Sequence, residues 1–338
     1  MADGWILALN AGSSSLKFAA YDLSATTKLA AGQINGTPSL DAALTQLGMD
    51  GPPKIIGHRI VHGGARSTSA QLTPQLRQEI QDVAVLAPLH NPPALAVIDA
   101  VSARFPTLPQ VACFDTAFHA TNPEVATVIP LPQQFRDQGI RRYGFHGLSY
   151  ASLVRRFSAE TGQPLPRRLL ALHLGAGASL AAIVDGKSIA TTMGFSPMDG
   201  LVMASRAGAM DAGVVLHMAG QLGMSADAIS DVLNKQSGLT GLAGSGDMKT
   251  LLETNSAAAR FAVEHYCYWV ARHAGSMIAA MQGVDGFVFT GGIGENAKPV
   301  RTSIMSKLDW LGPSAQNVWV IPADEEAEIS HSAAQVLG

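Results

Sequence analysis

A short pattern near the start of the chain returns 163 residues further on, and this recurrence limits the fold more than any other feature. Ile6 to Asp22 reads as an apolar strand, a turn of small residues and a second strand. Leu170 to Ser179, continuing to Ala182 and Asp185, repeats it, so that Leu7, Ala8, Leu9, Gly12, Ala19 and Asp22 each meet an identical residue without a gap. Matches of small apolar residues are cheap one at a time, but the offset is close to half of the 338 residues. It favours two related domains, each opening with a hairpin.

The first turn carries Asn10, the hydroxyls of Ser13, Ser14 and Ser15, and Lys17. Small side chains let backbone N–H groups approach a ligand, and hydroxyls and an amine meet anionic oxygens. The turn therefore reads either as an anion-binding loop or as an ordinary hairpin. A formal net charge of −3 with 14% charged residues gives no sign of a nucleic-acid binder or a basic membrane-surface protein. With no leader-like segment and no apolar run of spanning length, the expectation is a cytoplasmic protein. Cys113 and Cys267 lie in apolar or aromatic surroundings without metal-ligand spacing and read as buried thiols.

Further along, Leu23 to Pro53 leaves room for a shortened strand and one helix over Leu40 to Leu47. Lys54 to Gly64 reads as a strand ending in two glycines, with Arg59 and His62 near the end where open sheets place ligand-binding groups. Arg59 as a plain surface residue is the alternative. Helical spacing over Thr73 to Leu86 stops at Pro88, and Pro92 and Pro93 start a helix over Ala94 to Arg104. His90 is thus on an ordered connection, positioned for a ligand or capping the helix. Pro109 to His119 is a short strand ending at Asp115, a carboxylate able to orient a phosphate-bearing substrate or to cap a helix. Arg141 to Gly147 brackets two arginines and His146 with glycine, and a helix over Ser149 to Glu160 leads to the second hairpin.

In the second half Arg206 stands among small residues that leave its guanidinium accessible, a rigid fork for phosphate oxygens. A helix begins at Asp211, with Val214, Val215 and Met218 reading as packing residues, and Ser237 to Met248 reads as an extended loop with four glycines. A long helix over Ala257 to Met281 leads to a strand over Asp285 to Thr290. The turn Gly291 to Asn296 follows, a strand–glycine–helix shelf suited to a nucleotide, although its spacing is not the dinucleotide fingerprint. After a last strand, Val318 to Pro322, the acids from Asp324 to Glu326 open a helix reaching the C-terminus. Glu325 either helps hold hydrated magnesium or is an acidic first turn.

Taken together, several segments resemble the acetate kinase family, in the superfamily of sugar kinases, actin and the Hsp70 chaperones. They are Asn10 to Lys17, His58 to Gly64, Pro88 to Pro92, Phe114 to His119, Arg142 to Gly147 and Thr290 to Asn296. The resemblance implies an α/β fold of duplicated ribonuclease H-like domains with mixed sheets and flanking helices, spanning 1–146 and 147–324, with helix 325–338 available to pack on the first. It implies a homodimer that uses ATP and Mg²⁺, or Mn²⁺ in its place, to phosphorylate acetate or another short carboxylate reversibly. By similarity Asn10, Arg59, His90, Asp115, His146, Arg206 and Glu325 match the active-site positions, with Asn10, Asp115 and Glu325 as the metal set. Val61, Leu89, Phe145 and Pro197, with Arg59, match the acyl site. The nucleotide positions are Asn10 and Lys17, then His173, Gly175 and Gly177, then Gly246, Asp247 and Met248, then Gly291, Gly292, Ile293, Gly294 and Asn296.

The departures from the family pattern concern the donor. Ala176 stands where an asparagine is usual between the two glycines of the second hairpin, Ala212 replaces a proline, and Ala204-Ser205 replaces glycine-threonine before the arginine. The expected activity is acetate kinase by direct in-line transfer. The alternatives are a propionate or butyrate kinase with a roomier pocket, and a catalytically weak nucleotide-binding regulator.

Overall fold

The computed structural model describes residues 4–12 and 15–337, so Ser13 and Ser14, two of the hydroxyls expected in the first turn, lie outside the described residues. These residues form two compact units, one made of those within 1–120, 145–155 and 324–338 and the other of 121–144 and 156–323. The expected boundary at 146/147 falls inside the segment 145–155.

In the first unit the strands are β1 (Trp5–Ala11), β2 (Ser15–Asp22), β3 (Lys28–Asn35), β4 (Ile55–Ile60), β5 (Ala70–Gln71) and β6 (Gln110–Phe114), in the order β3-β2-β1-β4-β6-β5. β1 pairs antiparallel with β2 and parallel with β4, which in turn runs parallel to β6. Every residue of β1 is buried, as a central strand covered on both faces requires. Because side chains alternate across a strand, Trp5, Leu7, Leu9 and Ala11 enter a core with Leu40, Leu76, Ile98 and Val101. Ile6 and Ala8 enter a second core with Ile329 and Ala333 of the C-terminal helix Glu325–Leu337. That helix lies so close to β4 that a Cβ on Gly57 would stand 2.6 Å from Ile329 Cγ2. Its first turn is thereby brought to the sheet that bears Asn10 and Arg59.

The second unit has β7 (Arg168–Leu174), β8 (Ala178–Val184), β9 (Lys187–Thr191), β10 (Gly286–Thr290) and β11 (Val318–Val320), in the order β11-β10-β7-β8-β9. β7 is antiparallel to β8 and parallel to β10, and β10 is parallel to β11. Read outward from β1 and β7, the two sheets are the same object, with β5 the only addition to the first among the described residues. The recurrence in the sequence is thus the trace of a repeated topology.

Helix ends follow local chemistry. Ser39, Thr73 and Ser256 each accept a backbone N–H at the start of Leu40–Leu47, Pro74–Asp82 and Ala257–Met281. Two expectations change. Ser237 to Met248 is not one extended loop, because Gly238–Ala243 is a short helix. Leu239 N–H donates to the Met203 carbonyl at 2.9 Å and the Thr240 hydroxyl to the Ala204 carbonyl at 2.9 Å, tertiary bonds that override the low helix propensity of the glycines. The helix starting after Asp211, Ala212–Gly220, has no buried residue, and Val214 is 46% and Leu216 72% exposed. Both cysteines are free and buried. No helix among the described residues is long and apolar enough to cross a membrane.

Candidate active site

Strand ends and one helix start assemble a buried charge cluster in the first unit. Asn10 is near the end of β1, Arg59 near the end of β4, Asp115 follows β6 and Glu325 opens the C-terminal helix. Arg59 donates through Nε and Nη2 to a single oxygen of Asp115, Oδ2, at 3.1 and 2.7 Å. Its Nη1 donates to Asn10 Oδ1 at 3.0 Å and lies 3.4 Å from Glu325 Oε2. The Asn10 amide nitrogen donates to Glu325 Oε2 and to Glu326 Oε1, both at 2.7 Å. Asn10 therefore uses both ends of its amide to tie Arg59 to two neighbouring carboxylates.

Three carboxylates face one guanidinium here. Burial disfavours the Arg59 charge, yet Asp115 and Glu325 outweigh it and hold its pKa above the ordinary value. Burial raises Asp115, with Glu325 adding to the rise and Arg59 opposing it. Glu326 is likewise raised, first by burial and then by Glu325, while Asn10 and Lys17 counteract. Lys17 itself is exposed on β2, directly opposite Asn10 in the hairpin.

The loop bearing His146 is pressed onto this cluster. Gly147 N–H donates to the Asp115 carbonyl at 3.0 Å, and a Cβ on Gly147 would stand 2.0 Å from that oxygen. His146 has a φ of 58°, a left-handed conformation that is uncommon for a residue with a side chain and concentrates at functional sites. His90 precedes helix Asn91–Arg104, whose start the two prolines fix one turn earlier than expected. Val61 and Phe145 are buried in this unit, with Leu89 half-buried.

The described residues hold no group of three or more His, Cys, Asp or Glu side chains arranged to bind a metal ion. The donor chemistry of the cluster nevertheless fits a divalent ion. Both Arg59 bonds go to Asp115 Oδ2, which leaves Oδ1 outside the ion pair, and the carboxylates outnumber the guanidinium. Mg²⁺ takes few protein ligands and keeps most of its waters or phosphate oxygens.

In the second unit Arg206 is half-buried and donates to the Pro197 carbonyl at 2.8 Å, joining two of the expected positions. It has no carboxylate partner among the described residues, and burial alone lowers its pKa. A cavity of about 970 Å³ in the same unit is lined by Gly175, Ala176, Gly246, Asp247, Met248, Lys249, Leu252, Glu253, Gly292, Ile293, Asn296 and Ala297. That size and mixture of small, polar and apolar walls suit a nucleotide-sized ligand. Of the other expected nucleotide positions, His173 is on β7, Gly177 is in the turn that follows it, and Gly291 and Gly294 are in the short helix Gly291–Asn296, beside residues that line the cavity. Asp247 caps helix Met248–Glu253 by accepting from Lys249 and Thr250 N–H groups.

Sequence reasoning missed Glu326 and the wall formed by Lys249, Leu252 and Glu253. The acidic run from Asp324 was the available signal for Glu326, but neighbouring residues on a helix point about 100° apart. Only the position of Asn10 shows that both Glu325 and Glu326 reach one amide.

Residues 52–337 match the Acetokinase family. An acetate kinase of Rhodopseudomonas palustris is 39% identical over 383 residues, covering 96% of this chain and 96% of that protein. Among solved structures, a propionate kinase from Francisella tularensis has a TM-score of 0.89 at 33% identity, covering 98% of this chain and 100% of that one. Acetate kinase from Porphyromonas gingivalis has a TM-score of 0.87 at 30% identity, covering 99% and 100%. With the duplicated sheets and a similarity that runs over nearly the full length, the chain belongs to the acetokinase family.

Proposed function

We propose that this protein is a carboxylate kinase that transfers the γ-phosphoryl group of ATP to acetate, with Mg²⁺, and runs in both directions. The observation that carries this reading is the Arg59 cluster, a half-buried guanidinium paired with Asp115 and Glu325 and bonded to Asn10, which also holds Glu326. Family membership and a nucleotide-sized cavity support it.

The chemistry follows from charge. An acid with a pKa near 4 to 5 is already anionic at neutral pH, so no strong general base is needed. The difficulty is to bring two anions together. In the direct reaction a carboxylate oxygen bonds to the γ-phosphorus as the bond to the β–γ bridging oxygen breaks. That oxygen leaves on ADP.

Arg59 orients the carboxylate or acyl phosphate, Arg206 stabilises the equatorial oxygens of the moving group, and His146 donates a hydrogen bond that strengthens in the transition state. His90 is a supporting donor, and Val61, Leu89, Phe145 and Pro197 hold the acyl chain. Asn10, Asp115 and Glu325 would hold hydrated Mg²⁺, which when bound neutralises phosphate charge. Lys17 and Asn10 organise phosphate near the first hairpin. The segments His173 to Gly177, Gly246 to Met248 and the helix Gly291–Asn296 hold the nucleotide.

A homodimer is part of the same reading. The exposed Val214 and Leu216 of helix Ala212–Gly220, and the exposed Phe261 and Tyr268, seven residues apart and so on one side of helix Ala257–Met281, support it as apolar side chains a partner could cover. A propionate or butyrate kinase is the neighbouring reading. It differs only in pocket depth.

Running the reaction backwards tests the proposal. Acetyl phosphate with MgADP should yield ATP, read by luciferase. Failure of folded, ADP-binding protein to form ATP from acetyl, propionyl or butyryl phosphate would overturn it in favour of the regulatory alternative.

A further inference from the structure

Val61, Leu89 and Phe145, the acyl residues of the first unit, stand on three different segments, and buried polar groups outside the proposed chemistry connect them. Asn91 is fully buried at the first position of helix Asn91–Arg104. Its Oδ1 accepts the His62 N–H at 3.1 Å and its Nδ2 donates to the His62 carbonyl at 3.0 Å. One amide thus grips both backbone polar groups of the residue after Val61, and it stands two residues after Leu89.

The His62 ring continues the connection. Its centroid is 5.4 Å from that of Phe145, and its Nδ1 accepts the Gly64 N–H at 3.1 Å. Phe145 is held in turn by His119, whose Nε2 donates to the Phe145 carbonyl at 2.9 Å. Leaving a buried polar group unpaired is costly, so each bond in this frame resists a small displacement.

We propose that Asn91 is a positioning residue for acyl-chain specificity, a deduction that rests on the carboxylate-kinase reading above. By clamping His62 it fixes the place of Val61 relative to Leu89 and, through the His62 ring, relative to Phe145. A pocket rejects one extra methylene only if its wall does not give way, since a small shift of one side chain makes room for a methyl group. The clamp supplies that stiffness where the mobile element would otherwise be a loop.

A double-mutant cycle tests this, with kcat/KM for acetate and for propionate measured in the parent, Val61→Ala, Asn91→Ala and the double variant. In the parent the ratio of the two values records the pocket's discrimination, and each single substitution is expected to lower it by about 10-fold, within the range that one methylene supports. The double variant is expected to fall no further than the lower single, because the position of a removed side chain no longer matters. KM for ATP should stay within about twofold of the parent throughout, since the nucleotide positions lie elsewhere.

An unchanged ratio in Asn91→Ala, or reductions in the ratio that multiply in the double variant, would overturn the clamp. A merely structural role predicts equal losses with both acids. If Asn91→Ala does not fold, Asn91→Asp keeps an acceptor for the His62 N–H, loses the donor to its carbonyl, and enters the same cycle under the same criteria. A parent that phosphorylates neither acid overturns the functional reading itself. A parent whose discrimination responds to Val61→Ala, with Asn91 acting independently, overturns the clamp alone.

Discussion

Replacing Arg59 by alanine should destabilise the first unit strongly at neutral pH and much less in mild acid. The guanidinium makes two bonds to Asp115 and one to Asn10, and lies 3.4 Å from Glu325. Its loss leaves Asp115, which is 0% exposed, facing Glu325 with no countercharge. Breaking a buried pair from one side costs about 3–5 kcal/mol. For units of this size about 1 kcal/mol corresponds to roughly 2–4 °C, so the melting temperature should fall by on the order of 10 °C.

The pH dependence has a definite sign. Burial already raises Asp115 and Glu326, and without Arg59 the folded pKa of Asp115 rises further above its unfolded value of about 3.9. A carboxyl whose folded pKa is raised burdens the folded state above that pKa. The burden is relieved as pH falls towards the unfolded value, because the folded state takes up the proton first. Differential scanning calorimetry of parent and variant between pH 7.5 and pH 5 reads both effects. A shift below about 2 °C at pH 7.5, or a gap that widens on acidification, would refute the description of the cluster.

Arg206→Ala should lower kcat by at least about 100-fold while nucleotide affinity measured by calorimetry changes little, because the proposed contact strengthens during transfer; equal turnover in parent and variant would remove Arg206 from the mechanism. Ala176 is exposed on the wall of the 970 Å³ cavity, so Ala176→Asn should lower KM for ATP several-fold, in line with about 1 kcal/mol for one added hydrogen bond, and an unchanged KM would mean that this wall does not meet the nucleotide. Burial lowers His58 and His119 to about 4. Each histidine's contribution should therefore be full above about pH 6.5 and fall by about 3 kcal/mol as pH drops towards 4, where the unfolded chain binds protons that the folded one does not; a His58→Gln variant whose denaturant midpoint depends on pH in that window just as the parent's does would contradict it.

What was legible in the sequence is what short-range periodicity and strand ends encode. Helices Leu40–Leu47 and Ala257–Met281 have the bounds expected of them, because serine caps and helical spacing act within a few residues. Asn10, Arg59 and Asp115 converge because parallel neighbours β1, β4 and β6 end on the same side of one sheet. Glu325 joins them through a return of the chain of 315 residues, which only the resemblance suggested.

Other features depend on tertiary partners that spacing does not reveal. Helix Gly238–Ala243 forms on bonds to Met203 and Ala204. Val214 looks like a packing residue by type, yet it is exposed on a helix that buries none of its residues fully, with Val215 and Met218 only half-buried. Asn91 gave no signal beside its prolines, since its role lies in two bonds to a residue 29 positions earlier.

The most direct test of phosphoryl transfer to a carboxylate is steady-state acyl phosphate formation from ATP, Mg²⁺ and a series of acids from formate to butyrate, with hydroxylamine trapping the product. A maximum in kcat/KM at acetate is predicted, with ADP formed in equal amount. Folded, nucleotide-binding protein that gives no acyl hydroxamate with any acid in the series would contradict it.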